Sequence, residues 1–299
     1  MTSAAAPTRP SSPAEPPSYA PRLGEPLGPD SLTWRTLGDW RLALVGMRAG
    51  VLQTMHPAIE KGVRDHSDYF KGPFDRIWRS VPQIVGVVYD ADRLGVAAKV
   101  RDYHKPIKGS LDDGERYHAL DPETYYWAHA TFFEAQIAAM HFFGEELSDA
   151  DKERLYQESV QWWSLYGMSM RPVPPDYAAF CDYWDRMCAD VLEHNRFSRG
   201  TFKKRRGAFG PSPSRWVPGP VWRVASDAAY DAGVWMIRGT LPPALRERMG
   251  LEWSAADERR LRRIGFLTRH TIGRLPLRWR LAPQASSAYT REGVRPPGW

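Results

Sequence analysis

The sequence predicts an all-α protein, one large helical domain behind a Pro-rich tail, and three observations lead there. From about Ser31 onward, apolar residues recur at the spacing of a single helix face in segment after segment. Helix start and stop residues bracket those segments. No Gly-rich phosphate loop of the dinucleotide or Walker type, and no G-x-S-x-G elbow, interrupts them. The chain has 299 residues, 42% hydrophobic and 25% charged, which is enough to bury a sizeable core.

Residues 1–30 read as a disordered tail, because "MTSAAAPTRPSSPAEPPSYAP" offers too little apolar surface to offset the entropy of ordering. "DWRLALVGMRAGVLQTM" (Asp39–Met55) places apolar residues at 42, 44, 45, 47, 51, 52 and 55. Asp39 is its N-cap and His56-Pro57 its stop. "GPFDRIWRSVPQIVGVVY" starts a helix with Pro73 at the first position. Its "IVGVV" is β-branched enough for a strand but has no partner strands. "DADRLGVAAKVRDYH" offers Asp90 or Asp92 as caps, with Leu94, Ala97, Ala98, Val100 and Tyr103 as the buried stripe.

"DPETYYWAHATFFEAQIAAMHFFG" carries the clearest start, with Asp121 as N-cap, Pro122 at the next position and Glu123 in the first turn; Gly144 ends it. Further helices are predicted over Asp149–Tyr166, Asp176–His194, Pro218–Ile237, Pro243–Met249 and Ala255–Ile272. This divides the chain into a tail (1–30), a helical body (31–195), a linker loop (196–220) and C-terminal helices (221–299) that pack back on the body.

The formal net charge is +6. The excess reads as spread along the chain with one dense run, "FKKRRG" (Phe202–Gly207), taken as a solvated loop. No stacking platform or zinc-finger pattern accompanies it, so no nucleic-acid partner is predicted. Cys181 and Cys188 lie two helical turns apart, about 10 Å along the axis, beyond disulfide reach. With no apolar h-region and no run of 18 apolar residues, the expectation is a cytoplasmic, reduced protein without a transmembrane segment.

Among the eight histidines, Glu115-x-x-His118 alone matches a di-iron pair, and it lies in a loop-like stretch. No His-Glu-x-x-His or Cys-x-x-Cys zinc pattern is present. What remains is a haem-type arrangement. His104 ends a helix abruptly before Lys105-Pro106, so its imidazole either binds iron through Nε2 while Nδ1–H donates to an exposed helix-end carbonyl, or is an ordinary polar residue at a helix terminus. Arg76, Arg79 and Ser80 stand at i, i+3 and i+4 on one face. They suit haem propionates or an oxygen co-substrate, or form a solvated stripe.

Five segments, in order, resemble the MpaB-type oxygenase family. This former domain of unknown function includes latex-clearing protein (rubber oxygenase) and fungal mycophenolic-acid-pathway oxygenases. The segments are "MHPAIEKGVRDHS" (Met55–Ser67), "FDRIWRS" (Phe74–Ser80), "VRDYHKPIKG" (Val100–Gly109), "YHALDPETYYWAHATFF" (Tyr117–Phe133) and "LPPALRERMGLEWSAADERR" (Leu241–Arg260). The likeness covers roughly Trp34 to Arg280.

The resemblance implies an all-α fold around one b-type haem (iron protoporphyrin IX), with dioxygen as co-substrate. By the family's H-x-x-V-x-G motif, His104 is the proximal iron ligand, with Ile107 in place of Val and Gly109 closing the motif. By its R-x-x-x-T motif, Arg76 and Ser80 lie on the distal side, Ser standing for Thr. Glu60, 16 residues before Arg76, is the candidate distal base, and His129 in "WAHAT" is the alternative axial ligand or a packing residue. Rubber-cleaving relatives carry Lys where this chain has Arg79; a guanidinium has no lone pair for iron, so rubber cleavage is not expected. The implied activity is haem-dependent oxidation or cleavage of an apolar metabolite, as in secondary metabolism, with a possible electron donor and with mono- and dioxygenase chemistry both open. The alternative is a helical binding protein of the same fold without oxygenase activity.

Overall fold

Local capping chemistry starts half of the helices, and the apolar faces behind the caps decide where each helix packs. The computed structural model describes residues 19–67, 73–203, 206–207, 209–212, 214 and 216–297, with side chains from Ser80 on in the helix that begins at Pro73. The Ser31 hydroxyl caps α1 (Leu32–Thr36), and a 3-10 turn capped by Asp39 leads into α2 (Ala43–Thr54). Prolines open α3 (Pro57–His66) and α4 (Pro73–Tyr89), and Asp92 caps α5 (Arg93–Asp102). A hairpin of β1 (Lys108–Ser110) and β2 (Arg116–His118) follows, antiparallel, with Gly109 opposite Tyr117.

Asp121 accepts from the backbone N–H of Glu123 and Thr124 to start α6 (Pro122–Phe143). Ser148 and Asp176 cap α7 (Asp149–Ser164) and α8 (Tyr177–Arg186), the latter running into a π turn at Met187–Val191. Asn195 caps α9 (Arg196–Phe202); α10 (Gly219–Thr240) and α11 (Pro243–Arg248) come next. A Ser254/Asp257 capping box starts α12 (Ala255–His270), and α13 (Leu277–Arg280) and α14 (Pro283–Arg291) complete the chain.

The fold is a single all-α domain with one two-stranded hairpin among the described residues. α6 is its axis. Buried residues lie all round it rather than on one stripe, as for a helix surrounded by others. α2 packs along it through the buried Arg48–Glu134 ion pair and the bond from Trp127 Nε1 to the Leu52 carbonyl (3.2 Å). α7 and α8 cover another side with rings: Phe133 meets Tyr156, Tyr177 and Phe180 at centroid distances of 5.4, 6.1 and 4.8 Å. α14 returns to fasten α4, since Gln284 donates to the Pro82 carbonyl and Asp90, and Tyr289 and Tyr89 stand edge-on to Trp34.

The structure moves several sequence expectations. Residues 19–30, read as part of the tail, pack on the body: Leu27 is in the core, and Tyr19 bonds Gln161. Trp34 explains this, because its Nε1–H takes the Leu27 carbonyl (3.1 Å) and holds the segment down. The rest of the tail, 1–18, lies outside the described residues. "IVGVV" is helical, its Val87 and Val88 fully buried. Pro57 stops α2 but opens α3 at once. Leu94 and Tyr103 are half exposed, leaving Ala97 and Val100 as the buried stripe of α5. α9 occupies the start of the segment read as a linker loop. Both cysteines are free thiols. Among the described residues, no helix is long and apolar enough to cross a membrane.

Candidate functional site

Only residues 90–92 separate α4 from α5, and the two helices pack together, so they run antiparallel. Ser80 lies nine residues before the end of α4 and Asp102 nine after the start of α5; at 1.5 Å per residue both sit roughly 13 Å from the connection. The hairpin therefore brings the Arg76–Ser80 segment and the His104 turn to the same end of the pair. Ser80 is half-buried there. The side chains of Arg76 and Arg79 lie outside the described residues, and their place is given by the α4 backbone alone. Pro82, inside α4, supplies no N–H to the carbonyl one turn back, yet the helix runs through it unbroken.

The His104 turn is built by the end of α5. The helix stops because the His104 backbone N–H bonds the Arg101 carbonyl (2.9 Å), three residues back, rather than Val100, four back. The carbonyl this would orphan is taken by the histidine's own side chain: Nδ1–H donates to Val100 O at 2.8 Å. That bond puts a proton on Nδ1, so in the neutral ring Nε2 is the nitrogen that can act as a ligand. The ring is half-buried and stands edge-on to Tyr125 of α6, centroids 5.3 Å apart at 88°. The following residues are stitched in place, with Ile107 N–H to His104 O (3.1 Å), Ala119 N–H to Ile107 O (2.9 Å) and His118 Nε2–H to Lys105 O (3.2 Å).

Gly109 closes this motif for a steric reason. Its φ is not positive; instead a Cβ there would lie 2.9 Å from the Tyr117 ring. Tyr117 is nearly buried and donates to Asp65 Oδ2 on α3 (3.3 Å). α3 also meets the turn at Gly62, where a Cβ would come within 3.2 Å of Ile107. Two glycines thus let α3, the hairpin and the His104 turn close on one another.

Glu60 is buried on α3. Burial raises its carboxyl pKa, against the opposing pull of Arg64, whose Nη1 stands 3.8 Å away. Glu60 precedes Gly62 by two residues, about 200° around the helix, so it leaves α3 on the Arg64 stripe and not on the face against Ile107. Arg64 in turn bonds Asp112 at the hairpin tip (2.8 Å).

His129 is placed apart from His104, one turn further along α6 than Tyr125. It is fully enclosed, with Nε2–H donating to the Ser159 carbonyl (3.0 Å) and the ring walled by Trp162, Trp163 and Tyr126. Burial pushes its pKa down to about 4, so it is neutral. The residues that sequence reasoning missed are Tyr125 and Tyr117. The available signal for Tyr125 was its position four before His129 on a helix carrying the resemblance; for Tyr117 there was none.

A model of the family described as "ER-bound oxygenase mpaB/B'/Rubber oxygenase, catalytic domain" matches residues 34–270. The chain belongs to this family. Its catalytic domain is an oxygenase, which makes the chain an oxidoreductase acting with dioxygen on a small molecule. Similar proteins are an uncharacterized protein of Mycobacterium bovis and one of Mycobacterium tuberculosis. Each is 28% identical over 229 residues, covering 74% of this chain and 80% of the relative. No solved structure matches.

Haem is one group that supplies iron for dioxygen chemistry. A histidine that holds such iron binds it as a neutral imidazole, with a partner on the other ring nitrogen that orients the ring. The Val100 bond meets the second condition, since it keeps a proton on Nδ1 of His104. Among the described residues no three His, Cys, Asp or Glu side chains gather as a cage for a bare ion.

Proposed function

We propose that this oxygenase is haem b-dependent, with His104 as the iron ligand, and that it oxidises or cleaves an apolar small molecule. The observation that carries the reading is the Nδ1–H bond from His104 to Val100, on the histidine that the family's H-x-x-V-x-G motif singles out. When bound, haem would supply the iron that activates dioxygen.

The chain's own residues do the rest. The Val100 carbonyl holds the His104 ring and its tautomer; the edge of Tyr125 limits its rotation. Arg76 and Ser80, the residues that the R-x-x-x-T motif singles out, would donate hydrogen bonds to the oxygen co-substrate. Arg79 has the planar fork that suits a propionate carboxylate. Glu60, made more basic by burial, accepts a proton from substrate or water at its carboxylate. His129 packs the core, its Nε2–H being committed to Ser159.

The test is haem content. The purified chain, or the chain reconstituted with haemin, should carry stoichiometric haem with a Soret band that shifts when reduced under carbon monoxide. A well-folded chain that takes up none sinks the haem reading and leaves a helical binding protein of the same fold.

A further inference from the structure

Arginine is concentrated in one stretch of the chain, of which Arg280 is paired with Asp39 (2.6 Å). Residues 255–280 contain eight arginines (259, 260, 262, 263, 269, 274, 278 and 280) against Asp257 and Glu258, so 8 − 2 = +6, equal to the net charge of the whole chain. The dense run at Phe202–Gly207 is offset elsewhere, and of its cations Arg206 reaches Asp227 (3.4 Å). The two acids of α12 are occupied at its start: Asp257 accepts from Trp235 Nε1 and caps through Ser254, and Glu258 accepts from Trp253 Nε1. Arg259, Arg263 and Arg274 are exposed, with no carboxylate partner among the described residues.

Large apolar side chains are exposed along the same stretch of chain. Phe266 and Leu267 are each 59% exposed, Trp279 64%, Ile272 42% and Leu275 39%. Arg259, Arg263 and Phe266 stand at i, i+4 and i+7 of α12, and with Arg262 and Leu267 they line one shallow open groove. The other face of α12 is spoken for, because Leu261, Gly265 and Thr268 are buried and Gly265 lies directly against the Phe142 carbonyl. The exposed face is therefore held outward and rigid.

We infer that the outer face of α12 docks on the headgroup region of a bilayer containing anionic phospholipid. The arginines match the charge of that surface, and Phe266 and Leu267 match its apolar boundary, Leu267 being a side chain on which no base stacks. Docking is peripheral, as the described residues hold no helix able to span a bilayer. This inference does not depend on the haem reading.

The test is sedimentation of the full chain with phosphatidylcholine vesicles, with and without phosphatidylserine, at low and high salt. Binding should need the anionic lipid and fall with salt. Arg259→Gln/Arg263→Gln should weaken it, each arginine near an anionic surface being worth roughly fivefold, so roughly 25-fold together. Phe266→Ser/Leu267→Ser should weaken it as well; circular dichroism confirms that both exposed-site variants fold. Failure to sediment with anionic vesicles, or undiminished binding by both variants, would overturn the proposal. Loss in the arginine variant alone, with DNA or RNA competing the vesicles off, would make the face a general polyanion surface and overturn the bilayer assignment.

Discussion

Gly109→Ala tests whether the His104 turn depends on close packing at the hairpin. An alanine Cβ would lie 2.9, 3.1 and 3.2 Å from Cε1, Oη and Cζ of Tyr117, so the ring must move, and its bond to Asp65 resists that. Forcing a methyl into such a contact costs about 2 kcal/mol. Tyr117→Ala, at a ring 6% exposed, costs about 3 kcal/mol through lost burial and the void left behind. If the two groups clash directly, the double variant loses about 3 kcal/mol rather than the additive sum of about 5, a coupling of about 2 kcal/mol. Urea unfolding of the four proteins measures this cycle. Additive losses would refute the steric account of Gly109 and leave its place in the motif unexplained.

Two further predictions concern the core. Burial pushes His129 and His56 down to about 4 from an ordinary 6.5, so each is neutral when folded. A lowered pKa means stability that is complete above pH 6.5 and lost as pH falls toward about 4, at about 1.4 kcal/mol per pH unit per histidine. His129→Gln and His56→Gln should each flatten the pH dependence of the urea midpoint across that window, and a slope equal to the parent's would contradict the assignment. For the buried Arg48–Glu134 pair, Arg48→Met alone should cost about 3–5 kcal/mol, because it strands a buried carboxylate, whereas Arg48→Met/Glu134→Leu should return close to the parent. Equal losses in the single and double variants would show that the pair is not what fixes α2 on α6.

What the sequence revealed follows from how local each determinant is. Asp121, Pro122, Glu123 and Gly144 set both ends of α6 within a few residues of themselves, and they were readable. So was the logic of His104, since a helix end leaves carbonyls for a nearby donor. "IVGVV" is ambiguous by propensity, and burial of Val87 and Val88 decides for helix. Leu94 and Tyr103 fit a helical period yet face outward, because α5 is covered on one narrow side only. The β1–β2 hairpin was missed, since its three-residue strands owe their register to Tyr117 packing over Gly109 rather than to any alternation. Tyr125 reaches His104 from a helix more than twenty residues on, a contact that no spacing rule encodes. The charge surplus was countable, but the whole-chain total does not say where along the sequence it lies.

The central claim is that the His104 imidazole, held by Val100, ligates haem iron. The most direct measurement is the absorption spectrum of a His104→Gly variant reconstituted with haemin, recorded before and after adding free imidazole. Loss or shift of the Soret band in the variant, with recovery of the parent spectrum on adding imidazole, is the predicted result. A variant that keeps the parent spectrum without imidazole would contradict the claim and move the ligand to another side chain.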